Sequence, residues 1–281
     1  MKNIVKTELW KATHNRMFLV SLMIGIVITL LDMIESIDTV QRLTEANLWA
    51  KEAGYGTGSQ DGSSLFVWWL PINGVNMGAN IFYFVWPILA AIPYGWSYCQ
   101  ERKTGTCNQI VTRTNARTYF LAKYIAVFVS GGLAIMLPIL FSLLANALFC
   151  PALIPELGFT SVFNGYFMSA TYYTRPWIYS LCWCAMEFLL GGAAAVLCFA
   201  VGSMLRYQFM TILTPFAFVI ICEILSVKLL EEPKYITSPL YMIMAAPGNA
   251  NPAWLLLLAY GIMAGVGFIL GYWQVVKREL I

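Results

Sequence analysis

The sequence predicts an all-α polytopic membrane protein: six transmembrane helices, an N-terminal amphipathic helix on the inner leaflet, and a short helical knuckle between spans two and three. Three observations carry this expectation. Apolar residues make up 59% of the 281 and charged residues only 11%, whereas about a quarter of a soluble domain is charged. The apolar residues gather into runs that approach or exceed the roughly 20 helical residues a hydrocarbon core requires. The cations are partitioned as well. Twelve of the seventeen Lys and Arg fall on one side of the alternating spans and five on the other, and the richer side is the cytoplasmic one by the positive-inside rule. The net charge of +3 is small, and no basic patch is extensive enough for nucleic acid.

Residues 1–16 hold Lys2, Lys6, Lys11 and Arg16 against Glu8 alone, with Ile4, Val5, Leu9 and Ala12 on one helical face and Trp10 suited to the headgroup level. They predict an elbow helix lying on the membrane. No small-residue cleavage site follows the first apolar run, so the sequence predicts that this run is kept as an anchor. Residues 17–34 form the first predicted span. An outer segment, 35–80, follows with most of its charges early, and it predicts a short helix around 39–53 and an irregular aromatic stretch at 66–71 resting on the outer surface. Its length exceeds what a connection needs. The second span, 81–98, contains Pro87 and Pro93, each of which removes a backbone donor and kinks a helix. The third, 124–149, holds the Gly131-Gly132 pair, and a second outer segment covers 150–176. The fourth, 177–205, has a Gly191 to Ala195 run that allows close helix approach. Arg206-Tyr207-Gln208 is an inner turn, and 209–227 is the fifth span. Residues 228–253 are outer and include the apolar stretch 240–245, too short to cross and therefore interfacial or re-entrant. The sixth span, 254–276, returns the C-terminus to the cytoplasmic side.

The most informative stretch runs from Cys99 to Lys123, with five cations and one acid between two spans. Gly105 permits a tight turn, Thr104 or Thr106 can cap a short helix, and Thr114 or Asn115 can cap a new helix starting at Ala116. The pattern Glu101-x-x-x-Gly105-Thr106, followed by Thr112-Arg113, Arg117 and Lys123, resembles the cytoplasmic loop of type-2 ABC transporter permeases. That resemblance implies a coupling helix docking on a separate cytosolic ATPase, present in two copies and holding ATP and Mg, with no cofactor on this chain. It also implies that Glu101, Arg102, Lys103, Gly105, Thr106 and Arg113 serve the coupling, that a second permease subunit, identical or related, completes the assembly, and that the assembly sits in the plasma membrane. An aromatic-rich permease of this group suits an amphipathic substrate such as a peptide antimicrobial or a lipid-like molecule. The competing expectation is an ordinary basic loop in a non-transporting immunity or sensor subunit that binds a peptide through its outer segments.

Two carboxylates lie within apolar runs. Glu187 falls near the middle of the fourth span and Glu223 toward the outer end of the fifth, where an ionised side chain costs about 2.5–3.5 kcal/mol. Glu187 is either part of a substrate path or subunit contact, or a neutral carboxyl bonded to a nearby carbonyl or hydroxyl. Glu223 can reach the surface or Lys228. Membrane catalysis has little to build on: His14 is the sole histidine, Asp32 stands alone at the end of a predicted span, and no Walker A loop occurs, so ATP hydrolysis is expected on a partner. The seven cysteines are scattered and read as small packing residues, with Cys150 the one considered for a disulfide.

Overall fold

The computed structural model describes residues 2–54, 64–155, 162, 166–205, 207–229, 238–245 and 251–277, without the side chains at 108, 113, 227–229 and 277. The described residues are helical, with no strand. In chain order the helices are α1 (Lys2–Thr13), α2 (Arg16–Glu52), α3 (Leu65–Trp68), α4 (Met77–Ala91), α5 (Ser97–Lys103), α6 (Thr106–Arg113), α7 (Ala116–Asn146), α8 (Ser169–Thr174), α9 (Pro176–Gly202), α10 (Gln208–Leu229) and α11 (Ala253–Tyr272), closed by a π-turn at Trp273–Lys277. Among the described residues five helices, α2, α7, α9, α10 and α11, are long and apolar enough to cross a membrane. α4, where the second span is predicted, is apolar but only 15 residues long.

Helix α9 is the hub. It packs on α7, α11, α10 and α4, and most of its side chains are buried. The α7–α9 seam depends on Gly131: a Cβ there would lie 2.9 Å from the Ala90 carbonyl oxygen and 3.0 Å from that of Gly191. Small residues let two backbones approach this closely. Rows of exposed apolar residues, such as Leu19, Met23 and Val27 on α2 and Trp254, Leu258 and Ile262 on α11, face away from the bundle.

Two prolines shape the packing through the carbonyls they leave free. Pro93 cannot donate to the Leu89 carbonyl, which accepts from the Ser21 hydroxyl at 2.7 Å instead. In the same way the Thr211 carbonyl, left by Pro215, accepts from the Cys198 thiol at 3.1 Å. The expected second span therefore breaks after Ala91, and turns at 92–96 lead into α5.

Several expected boundaries move. The first apolar run does not stop at 34: α2 continues through the predicted connection to Glu52, because no Gly or Pro interrupts 35–52, and the exposed Asp38–Arg42 pair (2.9 Å) supports a helical face. Asp32 therefore lies inside a helix rather than at its end. The aromatic stretch 66–71 does not rest on an outer surface. Phe66, Trp69 and Leu70 are fully buried, and so is Ile243 in the non-helical stretch 238–245. None of the seven cysteines is in a disulfide, so Cys150 forms none. The inner turn at Arg206, the Gly-rich 55–63 and the acids of 230–237 lie outside the described residues.

Candidate functional site

The two sequence-predicted sites are separate: the knuckle lies at one end of the bundle, and Glu187 lies about midway along α9. At one end the chain forms a knuckle: α5, a left-handed Gly105 (φ +72°), then α6. Gly105 occupies the N-cap position of α6 with no side-chain cap, so neither Thr104 nor Thr106 takes the expected role. Their hydroxyls bond each other at 2.8 Å. The restart at Ala116 follows the sequence, with the Asn115 side chain accepting from the Arg117 amide at 3.1 Å. Thr106, Gln109 and Thr112, three residues apart on α6, form an exposed stripe, while Cys107 is buried on the other side. The side chain of Arg113 lies outside the described residues.

The knuckle is fastened by a buried ionic cluster. Lys123 of α7 is fully buried, with its Nζ 2.5 Å from Glu101 Oε2 and 3.8 Å from Glu8 Oε2. Glu8 is also buried and accepts from Lys11 Nζ at 2.8 Å and from the Tyr94 hydroxyl at 2.8 Å. The Tyr119 hydroxyl donates to Glu101 Oε2. The rings of Tyr94 and Tyr119 lie 5.2 and 5.5 Å from the Lys123 ammonium. Burial alone would push the Glu8 carboxyl up, but the Lys123 charge and the bonds from Lys11 and Tyr94 together hold it below the usual carboxylate range. Burial would lower the Lys11 ammonium, but the Glu8 bond and the charges of Glu8 and Glu101 together raise it above the ordinary value. Two carboxylates meet two ammonium groups here, which joins α1, α5 and α7 into one unit. Asn15 adds a further tie, since its side-chain amide donates to the Pro93 carbonyl at 2.9 Å and its oxygen caps α2.

Sequence reasoning placed Glu8 in the elbow helix and Lys123 at the end of the basic inner loop, and missed this cluster. The signal was present. Glu8 and Ala12 are one turn apart on the buried face of α1, and Lys123 continues the stripe of Ala116, Tyr119 and Phe120 on α7.

Arg102 turns a different way. Its Nη1 donates to the Ser203 carbonyl just past the end of α9, satisfying one of the acceptors a helix leaves open there. Lys103 Nζ stands 5.8 Å over the Tyr207 ring.

About midway along α9, Glu187 is fully buried, and neither of its oxygens meets close hydrogen-bond geometry, the neighbouring Trp183 indole being the one side-chain donor turned toward it. The bond to a neighbouring carbonyl or hydroxyl, one of the two alternatives read from the sequence, is not formed. Its surroundings are organised around the two irregular stretches. The Trp86, Trp183 and Tyr260 side chains donate to the carbonyls of Leu240 (3.3 Å), Ile243 (3.4 Å) and Met242 (3.3 Å), and the Ala245 amide donates to the Pro71 carbonyl at 2.7 Å. Tyr83 donates to the carbonyls of Leu70 and Asn73. Non-helical backbone at this depth is tolerated only where protein answers its polar groups, and aromatic N–H and O–H donors do so here. Nearby, Asp32 Oδ1 accepts from Asn73 (3.1 Å) and Asn76 (3.0 Å), while its buried Oδ2 has no partner. Glu223 is half-buried on α10, and the side chain of Lys228 lies outside the described residues.

No group of three or more potential metal ligands occurs among the described residues. No family model matches the sequence, and no curated protein matches it. What the arrangement offers chemically is mechanical and electrostatic: a surface knuckle fastened to the bundle at one end, and a buried carboxyl without a closely aligned partner midway along α9.

Proposed function

We propose that this chain is the membrane-spanning subunit of an ATP-driven exporter of the type-2 ABC group, working with a second permease subunit and two cytosolic ATPase subunits that hold ATP and Mg. The substrate is amphipathic, a peptide or a lipid-like molecule. The observation that carries this proposal is the fastening of the knuckle. A push on the exposed stripe Thr106, Gln109 and Thr112 is transmitted through α5 to Glu101, from Glu101 to Lys123 of α7, and from α7 across the Gly131 seam to α9. Glu101 acts through Lys123 in this mechanism rather than by touching the ATPase. Arg102 ties the same unit to the end of α9, and Glu187 lies on the helix that moves. The knuckle end faces the cytoplasm, where the cations are concentrated.

The second reading, a non-transporting immunity or sensor subunit, is favoured by one observation: the inserted stretches 64–73 and 238–245 fill the far end with buried aromatic and aliphatic side chains. One experiment separates the two. The double substitution Gln109→Glu and Thr112→Asp places two negative charges on the stripe without touching the ionic cluster. The unaltered chain, purified in mild detergent, is expected to carry with it a cytosolic ATPase bearing a Walker A loop; the variant should lose that subunit and its nucleotide-dependent efflux while keeping its melting temperature. Equal ATPase association and efflux in both proteins, or no such subunit with either, would favour the sensor.

A further inference from the structure

Beside the knuckle lies a cleft of about 220 Å³ lined by Cys99, Arg102, Lys103 and Leu205. We propose that it binds the phosphodiester headgroup of an anionic phospholipid. Three observations meet there. The first is charge. Arg102 and Lys103 are exposed, and neither has a carboxylate within ion-pair distance among the described residues. Glu101, their chain neighbour, is turned away into Lys123. The second is donor geometry. Arg102 uses Nη1 on the Ser203 carbonyl, and its planar fork has further N–H groups to offer a phosphate oxygen. Lys103, steadied over the Tyr207 ring, supplies the second positive group. The third is the rim. Met204, Tyr207, Phe209 and Met210 are each more than half exposed, at 58, 66, 72 and 57%.

A cationic floor explains a soluble anion but leaves the apolar rim unexplained. An apolar ligand explains the rim but not two unpaired cations. A molecule with a phosphate at one end and acyl chains at the other satisfies both, and basic pockets at helix ends hold such headgroups. The phosphate accepts from Arg102 and Lys103 while the chains run along Phe209 and Met210 at the start of α10. The bound lipid bridges α5 and the α9–α10 turn, the same two pieces that Arg102 ties. This site stands on the geometry of the chain itself and not on the transporter proposal.

The test uses the whole chain without any ATPase, delipidated in detergent and titrated by native mass spectrometry with phosphatidylglycerol, with phosphatidylcholine of the same acyl chains, and with inorganic phosphate. Phosphatidylglycerol is expected to be retained over phosphatidylcholine. Lys103→Glu should weaken that retention by at least about fivefold, the effect of one basic group at a membrane surface, whereas Arg117→Ala, an exposed cation on α7 outside the cleft, should leave it unchanged. Because Arg102 also closes the end of α9, Arg102→Lys is the paired variant: it keeps the charge and should keep most of the binding. Equal retention of the two lipids would overturn the proposal, as would equal losses for Lys103→Glu and Arg117→Ala. Displacement of the lipid by inorganic phosphate at matching concentration would identify a free-anion site and overturn the lipid as its occupant.

Discussion

The two ends of the bundle treat buried charge in opposite ways. At the knuckle end Glu8 and Glu101 are paired with Lys11 and Lys123, Lys123 by charge rather than by an aligned hydrogen bond, and two tyrosine hydroxyls donate to the carboxylates. Toward the other end Glu187 has no closely aligned partner for either oxygen, only the neighbouring Trp183 indole, and Asp32 has none for Oδ2. A buried charge is tolerated when it is paired and hydrogen-bonded, and it costs most when its partner is removed. The first arrangement therefore has the character of a weld, whose worth lies in holding three helices together. The second carries a cost the fold has not relieved, which is the usual mark of a group kept for something other than stability.

The largest effect that can break this contrast comes from Lys123. Lys123→Met removes the shared cation and leaves Glu101 and Glu8 facing each other in a buried site, which should cost about 3–5 kcal/mol. The variant should melt well below the parent in detergent and expose α1 to protease. Combining it with Glu8→Gln and Glu101→Gln should restore much of the loss, because no uncompensated carboxylate remains. A single variant as stable as the parent would show that the cluster is not a weld.

The contrast also explains what could be read from the chain beforehand. The helices were legible because long apolar runs have no other way to satisfy their backbone, and the knuckle was legible because Gly105 and Asn115 act locally. Charge pairing was not. Lys123 meets Glu8 across more than a hundred residues, and neither residue carries a local sign that it is buried rather than solvated. The inserted stretches were misplaced for a related reason. Trp68-Trp69-Leu70-Pro71 has the composition of an interfacial segment, and only the distant donors and carbonyls, such as Trp69 to the Ile139 carbonyl at 3.1 Å, turn it into core. Asp32 was read as a helix end because hydrophobicity stops near it, although the helix does not.

At the far end the sign of the effect reverses. Glu187→Leu has a similar volume and removes two unsatisfied oxygens, so it should leave the protein unchanged or more stable, by about 1–3 kcal/mol. If Glu187 serves the substrate path, the same variant loses efflux while gaining thermal stability, the trade-off expected where function keeps a costly group. Glu187→Gln, which keeps polar atoms without charge, should fall between the two in stability. A Leu variant that is destabilised by more than about 1 kcal/mol would mean that the carboxyl is held by a partner after all, and the difference between the two ends would vanish.

The smallest effect is a pH dependence confined to the knuckle end. The Glu8 carboxyl is held below its ordinary value of 4.5, so its pairing contributes fully above the usual carboxylate range and is lost as pH falls through the folded value. Lys11 is raised above 10.5, so its share is complete below that value and is lost as pH rises through the folded one. Lys123, Tyr94 and Lys11 face the Glu8 carboxylate, and Glu101 lies across Lys123 from it, so no single group carries the whole effect. Glu8→Gln keeps an acceptor for Tyr94 but removes the charge. Its melting temperature should lie below that of the parent through the neutral range, and the gap should close in acid below the carboxylate range and narrow again in strong alkali. A gap that stays constant from pH 3 to pH 7 would show that Glu8 contributes shape and hydrogen bonds alone, and would leave Lys123 paired chiefly with Glu101.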